Sequence, residues 1–292
     1  MNDQISAIIT TTITSGAILS LVSVGFVVVY RATKVVSFAQ GAFTLVGAFV
    51  FLHCAEHGFG FFGALATALV ADLVLGAVIY RAVFARMEGA EPFIAAVATI
   101  GLAIVVESVA VIVWGSSPII LPHVMSERRF TPVAGLHVQV ADLVVAGMAL
   151  VVYLVLALSL QRTRVGLRMR AVADMPKLAA HSGVNVARMS MLAWAAAAGT
   201  AAVAGVAFLL TTQPAPTGVY ALGLTAFPAI LLGGFDSIGG AVVGGFGLAL
   251  VQSIVVTKAG GDWQDVASYG LLLAVLAVRP QGLFGSAEAS RV

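Results

Sequence analysis

The sequence predicts an all-α polytopic membrane protein with about eight or nine transmembrane helices. Of its 292 residues, 60% are hydrophobic and only 10% are charged. The mean hydropathy of +1.06 is far above that of a water-soluble domain. The apolar residues also fall in successive runs long enough to cross about 30 Å of hydrocarbon. These features predict one transmembrane domain over residues 1–292 and exclude a soluble globular enzyme. A single cysteine, Cys54, allows no intrachain disulfide and no Cys-based metal site. The amino terminus lacks the basic start and small-residue cleavage site of a secretory signal, so the first run is expected to remain as a span.

Taken in order, the first run covers residues 5–30 and ends at Arg31 and Lys34. Residues 37–52 follow, opening with SFAQG and returning to an outer turn at residues 53–60. Runs over residues 61–80 and 93–114 come next, joined by a turn carrying Arg81 and Arg86. The external segment 115–141 holds Pro118, Pro122 and Pro132, too much proline for one regular helix. A fifth run covers 142–160 and a sixth 189–210, where Ala197, Ala201 and Gly205 at four-residue spacing let helices approach closely. The seventh reaches LLGGFDSIGGAVVGG, dense enough in glycine between Gly233 and Gly247 to break, re-enter or pack tightly. The eighth ends near Thr257, and the last covers 266–278.

Charge sets the orientation. With the amino terminus outside and the carboxyl terminus in the cytoplasm, twelve of the fifteen Lys and Arg residues fall inside. The other three, Arg128, Arg129 and Lys258, fall outside, as the positive-inside rule requires. Two Gly- and Ser-containing turns, SFAQGAFTLVGA and FDSIGGAVVGG, each follow a descending run and precede an ascending one. They suggest a parallel internal repeat of the kind found in transporters, whose substrate paths lie between the halves.

Residues 161–188 form the one long polar passage and carry six of the Lys and Arg residues. Within it Asp174 is expected to cap a helix, Pro176 to fill its first turn and Gly183 to stop it in a left-handed conformation. That helix is about two turns long, with Val172, Met175, Ala179 and Ser182 on one side and Asp174, Lys177 and His181 on the other. It is too short to be stable alone, so it fits either a docking knob for a soluble partner or a solvated loop that sets orientation.

Few groups carry chemistry. His53, Glu56 and His57 spell H-x-x-E-H, a short zinc-peptidase-like pattern, here at a membrane boundary without a soluble catalytic domain. The chain has no G-x-x-x-x-G-K-[ST] loop, so ATP would be bound and hydrolysed on another subunit. Asp72 and Glu107 lie at bilayer depth, where a charge costs at least about 2.5 kcal/mol unless it finds water or a partner. They are expected to serve structure. Gln40, Thr44 and Asp236, at the two turns, are candidates for contact with solute.

These residues resemble the inner-membrane permease subunits of ABC importers for branched-chain amino acids. Ser37, Phe38, Ala39, Gln40 and Gly41 carry the likeness after the first span, and Asp174, Ala179, Gly183, Val184 and Asn185 carry it in the polar loop. Leu232, Gly233, Gly234, Ser237, Gly240, Ala241, Gly244 and Gly245 continue it, and Arg279, Pro280, Gly282, Leu283, Phe284 and Gly285 close it. The resemblance covers nearly the whole chain and implies a permease that works by alternating access in a bacterial-type inner membrane. It implies four kinds of partner: a second permease subunit (a homologue or another copy), two cytoplasmic ATPases, a periplasmic or lipid-anchored solute-binding protein, and membrane lipids. Nucleic acid is not among them, and no cofactor is expected on this chain.

The residue reading and the resemblance together make Asp174, Lys177, Ala179, Gly183 and Asn185 the candidates for ATPase docking. Ser37, Gln40, Thr44, Asp236 and Ser237, at the two turns, are the candidates for the translocation path, and Gly233, Gly234, Gly240, Gly244 and Gly245 for helix packing. The sequence departs from the family at Ser37, where Asn is usual, and at Asp236, where Gly is usual; the loop also lacks the fuller Glu-Ala-Ala signature of other importer permeases. Permeases for urea, short amides and other small solutes belong to the wider family. An ion-coupled secondary transporter is the rival of a different class.

Overall fold

Backbone groups within a bilayer must be satisfied inside their own segment, so apolar runs of this length fold as helices. The computed structural model describes residues 2–87, 89–117, 129–130, 138–212, 214–279 and 281–285. The first half contains α1 (Asn2–Thr33), α2 (Gln40–Glu56), α3 (Phe61–Ala82) and α4 (Pro92–Trp114), with a single 3-10 turn at Phe84–Arg86. Two short strands, β1 (Arg129–Phe130) and β2 (Val138–Gln139), pair antiparallel before α5 (Val140–Arg162). The polar passage folds as α6 (Arg164–Asp174) and α7 (Pro176–His181). The second half contains α8 (Val186–Thr211), α9 (Pro216–Thr225), α10 (Phe227–Gly233), α11 (Ile238–Ala259) and α12 (Gln264–Val278), with a 3-10 turn at Gly261–Trp263.

Among the described residues, seven stretches are long and apolar enough to cross a membrane: α1, α3, α4, α5, α8, α11, and α9 with α10 taken together. The helices α2 and α12, with 17 and 15 residues, are shorter. Pro118, Pro122, Pro132, Pro280, Arg128 and Arg291 lie outside the described residues.

The centre of the molecule is α1 against α8 and α11, with α2 and α3 packed on α8. Small residues make these approaches possible. A Cβ on Gly76 would lie 2.6 Å from the Trp194 carbonyl oxygen, and one on Gly245 would lie 2.7 Å from Ser20. The backbone of Gly205 faces the Thr44 carbonyl just as closely, so the Ala197, Ala201, Gly205 spacing is a packing seam. Around this centre, α4 and α5 turn large apolar side chains outward, among them Ile104, Ile112, Val151 and Leu158. In a bilayer that surface meets acyl chains, which are as apolar as leucine. Polar contacts join α5 to α1, and in one of them the Tyr153 hydroxyl donates to the Ala17 carbonyl at 3.2 Å. The Thr14 hydroxyl donates to Asp142 Oδ1 at 2.9 Å, and the Ser20 and Tyr153 hydroxyls pair. Asp142 Oδ2 also accepts from the Gln139 N–H at 2.9 Å, which starts α5 two residues before the expected boundary.

Several expectations change. Asp174 does not cap the short helix: it is the last residue of α6, and Met175 stands at the cap position of α7 without a side-chain hydrogen bond. The expected two faces change too. Val172 and Ala179 are buried against Met189, whereas Met175 and Ser182 are exposed. The second span starts at Gln40 rather than residue 37, leaving Ser37 in the turn. The glycine-rich run breaks only around Gly234 to Ser237. From Ile238 it continues as regular helix, with Gly240, Gly244 and Gly245 buried in contacts.

Candidate translocation path and docking surface

The first candidate cluster lies where α1 turns into α2. Lys34 closes α1 with φ 57°, left-handed and the one such non-glycine among the described residues. The turn is fastened from α4, whose Thr99 hydroxyl accepts the Phe38 N–H at 2.9 Å and donates to the Ala96 carbonyl at 2.7 Å. Ser37, Gln40 and Thr44 follow, each fully buried. Gln40 Nε2 donates to the Ala197 carbonyl of α8 at 2.9 Å, and the Thr44 hydroxyl donates to the Gln40 carbonyl at 2.8 Å. The Ser37 hydroxyl and Gln40 Oε1 have no hydrogen-bond partner among the described residues. Their neighbours press close: Gly25 of α1 leaves room for the Gln40 amide, and Gly41 meets Gly223 of α9 backbone to backbone. Three of the five expected path residues are therefore together, in the seam of α1, α2, α8 and α9.

Asp236 and Ser237 lie elsewhere, in the turn between α10 and α11. Gly234 opens that turn at φ 96°, and the Ser237 hydroxyl accepts the Gly240 N–H at 2.9 Å, capping α11. Gly233 and Gly240 face each other so tightly that a Cβ on either would overlap the other's carbonyl, and Gly244 does the same to Ala229. The segment after α12 completes the turn: the Leu283 N–H donates to the Leu232 carbonyl at 2.8 Å and the Phe284 N–H to the Gly233 carbonyl at 3.1 Å. All five glycines expected in helix packing are thus in close contacts.

The two turns meet. Lys34 Nζ lies 3.4 Å from Asp236 Oδ1 and 5.2 Å from the centre of the Tyr30 ring. The Tyr30 and Phe235 rings are 4.9 Å apart, and Phe227 contacts both Phe38 and Phe235. Sequence reasoning missed the Lys34–Asp236 pair, although two opposite charges at two similar turns were visible. It also missed Thr99, whose signal was a hydroxyl in an otherwise apolar span.

Asp72 on α3 is fully buried beside Gly47 of α2 and Ala202 of α8, and neither carboxyl oxygen has a partner among the described residues. It does not join the path cluster. His53 and His57 lie one helical turn apart at the end of α2 with ring centres at 4.3 Å, and His57 Nδ1 donates to the His53 carbonyl at 2.7 Å. Among the described residues, no group of three or more His, Cys, Asp or Glu gathers to hold a metal ion.

The polar elbow holds the expected docking residues. Asp174 and Lys177 are exposed, and Ala179 is buried beneath α7. Gly183 takes φ 79°, with its N–H bonded to the Ala180 carbonyl and the Val184 N–H to the Ala179 carbonyl, a left-handed stop. Asn185 Oδ1 accepts the Arg188 N–H at 2.8 Å and so caps α8, a structural task. Met175 and Leu178, at 46% and 60% exposure, stand outward beside Lys177 and give the elbow an apolar tip ringed by charge.

The sequence of residues 8–276 matches the family model described as branched-chain amino acid transport system / permease component. The chain belongs to this family. It is a membrane permease component and not itself an enzyme. The permease is 29% identical to the high-affinity branched-chain amino acid transport system permease protein LivH of Escherichia coli K12, over 96% of this chain and 95% of that relative. It is 27% identical to BraD of Pseudomonas aeruginosa, a permease protein of the same description, with the same coverage. The probable branched-chain amino acid transport permease protein LivH of Methanocaldococcus jannaschii is 25% identical over 92% of this chain and 89% of its own length. No solved structure matches. As a component of a transport system, the permease works with other subunits, an ATPase among them.

Proposed function

We propose that this permease imports branched-chain amino acids across a bacterial-type cytoplasmic membrane by alternating access, driven by ATP hydrolysed on separate subunits. The observation that carries this is the end-to-end likeness to permeases named for those solutes. The buried Ser37, Gln40 and Thr44 cluster supports it, because the Ser37 hydroxyl and Gln40 Oε1, without partners among the described residues, are suited to a polar solute. Asp236 and Ser237 would lie at the inner end of the same path, beyond the Tyr30 and Phe235 rings. Two ATPases, a second permease (a homologue or another copy) and a periplasmic or lipid-anchored solute-binding protein complete the assembly. The cation-rich ends of α1, α3, α5 and α6 face the cytoplasm.

The elbow of α6 and α7 would receive the ATPase. A permease can respond to nucleotide only through contacts that differ between the partner's two states, and displacement of this elbow pulls on both α5 and α8. Gly183→Val should leave the protein in the membrane and impair ATPase association or solute-stimulated hydrolysis. No atom lies within 4 Å of a Cβ there, so the left-handed backbone is the whole cause, worth about 1 kcal/mol or more. Lys177→Glu should weaken the same contact in a salt-dependent way.

The deciding experiment copurifies the permease with its ATPase and measures uptake of leucine, isoleucine and valine, with urea and a short amide beside them, in proteoliposomes containing the solute-binding protein. ATP-dependent uptake of the three amino acids is expected. Uptake confined to urea or amide overturns the solute, and uptake driven by an ion gradient without an ATPase overturns the class.

A further inference from the structure

The cation-rich end of α3 carries two arginines that no carboxylate among the described residues pairs with. Arg81 lies in the last turn of α3, Arg86 closes the 3-10 turn that follows, and both are exposed. They do not stand on a plain surface. With Ala77, Val78 and Ala82 of α3 and Met191 of α8 they line an open groove of about 550 Å³. Its frame is anchored to α8: Phe84, which lies between the two arginines in sequence, stacks on the buried Trp194 with ring centres at 4.2 Å, and Gly76 packs on the Trp194 carbonyl. Arg86 also donates to the Ala82 carbonyl. That bond covers part of the negative end of α3, which would otherwise repel an anion. Below the arginines the groove opens onto the outward side of α3. Val78, Val74 and Val70 are each more than half exposed and, at four-residue spacing, form one apolar track about 12 Å long. The other cavity lined by arginines, Arg31 and Arg170, measures about 30 Å³ and has no such track.

We infer that this groove binds an anionic phospholipid, its phosphate held by the Arg81 and Arg86 guanidiniums and one acyl chain laid along Val78, Val74 and Val70. A guanidinium presents a planar fork that bonds phosphate oxygens in pairs. Basic pockets between spans at the membrane boundary take lipid headgroups in this way. A free phosphate or an acidic protein segment would meet the arginines and leave the apolar track bare, whereas a lipid fills both halves of the site. A zwitterionic lipid brings a cation of its own toward the two arginines, so net negative charge decides which lipid is held. Met191 forms the far wall, so the bound headgroup ties the end of α3 to the first turns of α8, the helix that follows the α6–α7 elbow. The site does not depend on which solute the permease carries.

The test reads lipid retention by native mass spectrometry and thermal melting of the whole chain purified in detergent, with phosphatidylglycerol, phosphatidylcholine, glycerophosphate or inorganic phosphate added. Phosphatidylglycerol is expected to be retained in preference to phosphatidylcholine and to be the one addition that raises the melting temperature. Arg81→Gln with Arg86→Gln removes both guanidiniums from exposed positions and should raise the phosphatidylglycerol concentration for half-maximal stabilisation by about tenfold or more. Arg81→Gln alone, which spares the bond from Arg86 to Ala82, should move it the same way by a smaller factor. Arg162→Gln, an exposed cation at the end of α5, should leave it unchanged. Equal retention of the two lipids, equal stabilisation by glycerophosphate or inorganic phosphate, or unchanged phosphatidylglycerol affinity in the double variant would each overturn the site. An effect of Arg162→Gln as large as that of the double variant would reduce the attraction to bulk surface charge and overturn it as well. Loss of ATPase association in the double variant, with lipid binding unchanged, would assign the groove to a protein contact instead.

Discussion

The two turns that lead into α2 and α11 look alike in sequence and are built in opposite ways. The second is braced throughout. Gly234 supplies a left-handed backbone without strain, Ser237 caps α11, and backbone N–H groups of Leu283 and Phe284 occupy the carbonyls of α10. The first has none of these three braces and is held instead by the Thr99 hydroxyl on the Phe38 N–H. A lysine takes the left-handed conformation, no side chain caps α2, and Ser37 and Gln40 hold buried polar atoms without partners among the described residues. An unpartnered buried group costs about 1–3 kcal/mol, and a left-handed non-glycine about 1–2 kcal/mol. A chain that accepts both costs in one turn and neither in its counterpart has divided its labour. The second turn holds the helices together, and on the proposed reading the first keeps its polar groups for the solute.

This division can be broken on either side. The largest effect should come from the braced turn: Gly240→Val forces a branched side chain into the Gly233 backbone. A loss of about 3 kcal/mol or more is expected, read as little folded protein in the membrane and a collapsed melting transition. In the first turn the sign of the experiment reverses. Gln40→Met keeps length and volume and removes the amide, so the melting transition should move by no more than about 1 kcal/mol equivalent while leucine uptake falls about tenfold or more. If Gln40→Met destabilised the protein as Gly240→Val does, the first turn would be mere scaffold. The smallest effect is expected where the turns touch. Asp236→Gly removes a half-exposed ion pair, so stability should stay within about 0.5 kcal/mol. A change in the rate or rank order of amino acid uptake is still expected if the proposed path runs beside this charge. Unchanged uptake of a full panel would reduce Asp236 to a solvated turn residue.

Features set by neighbouring residues were legible in the sequence, and those set by distant contacts were not. Hydropathy marked the apolar runs, and Gly183 declared its left-handed stop because one residue type fits that backbone without strain. The glycines from Gly233 to Gly245 also announced close packing. The cap of α7 was misread by one position for a local reason. Pro176 forces the residue before it out of helical geometry, and that residue is Met175, at φ −144° and ψ 81°, rather than Asp174. The break resets the helical phase, so Met175 and Ser182 do not share the buried side of Val172 and Ala179. The Lys34–Asp236 pair, the hold of Thr99 on Phe38 and the stack of Phe84 on Trp194 join residues far apart in the chain. Hydrophobic periodicity carries no information about such contacts.

The hydrogen bonds from Leu283 and Phe284 to α10 also set an order of events during biogenesis. The carbonyls of Leu232 and Gly233 emerge from the ribosome well before the N–H groups that will meet them. In between, α11 and α12 must be made and packed into place. The second turn is therefore among the last parts of the molecule to close, and it closes only if the two preceding helices have gone in correctly. Misplacement of either would keep Leu283 and Phe284 from reaching the carbonyls at the end of α10. The joint that bears the packing is thus completed by residues made after the helices that it holds.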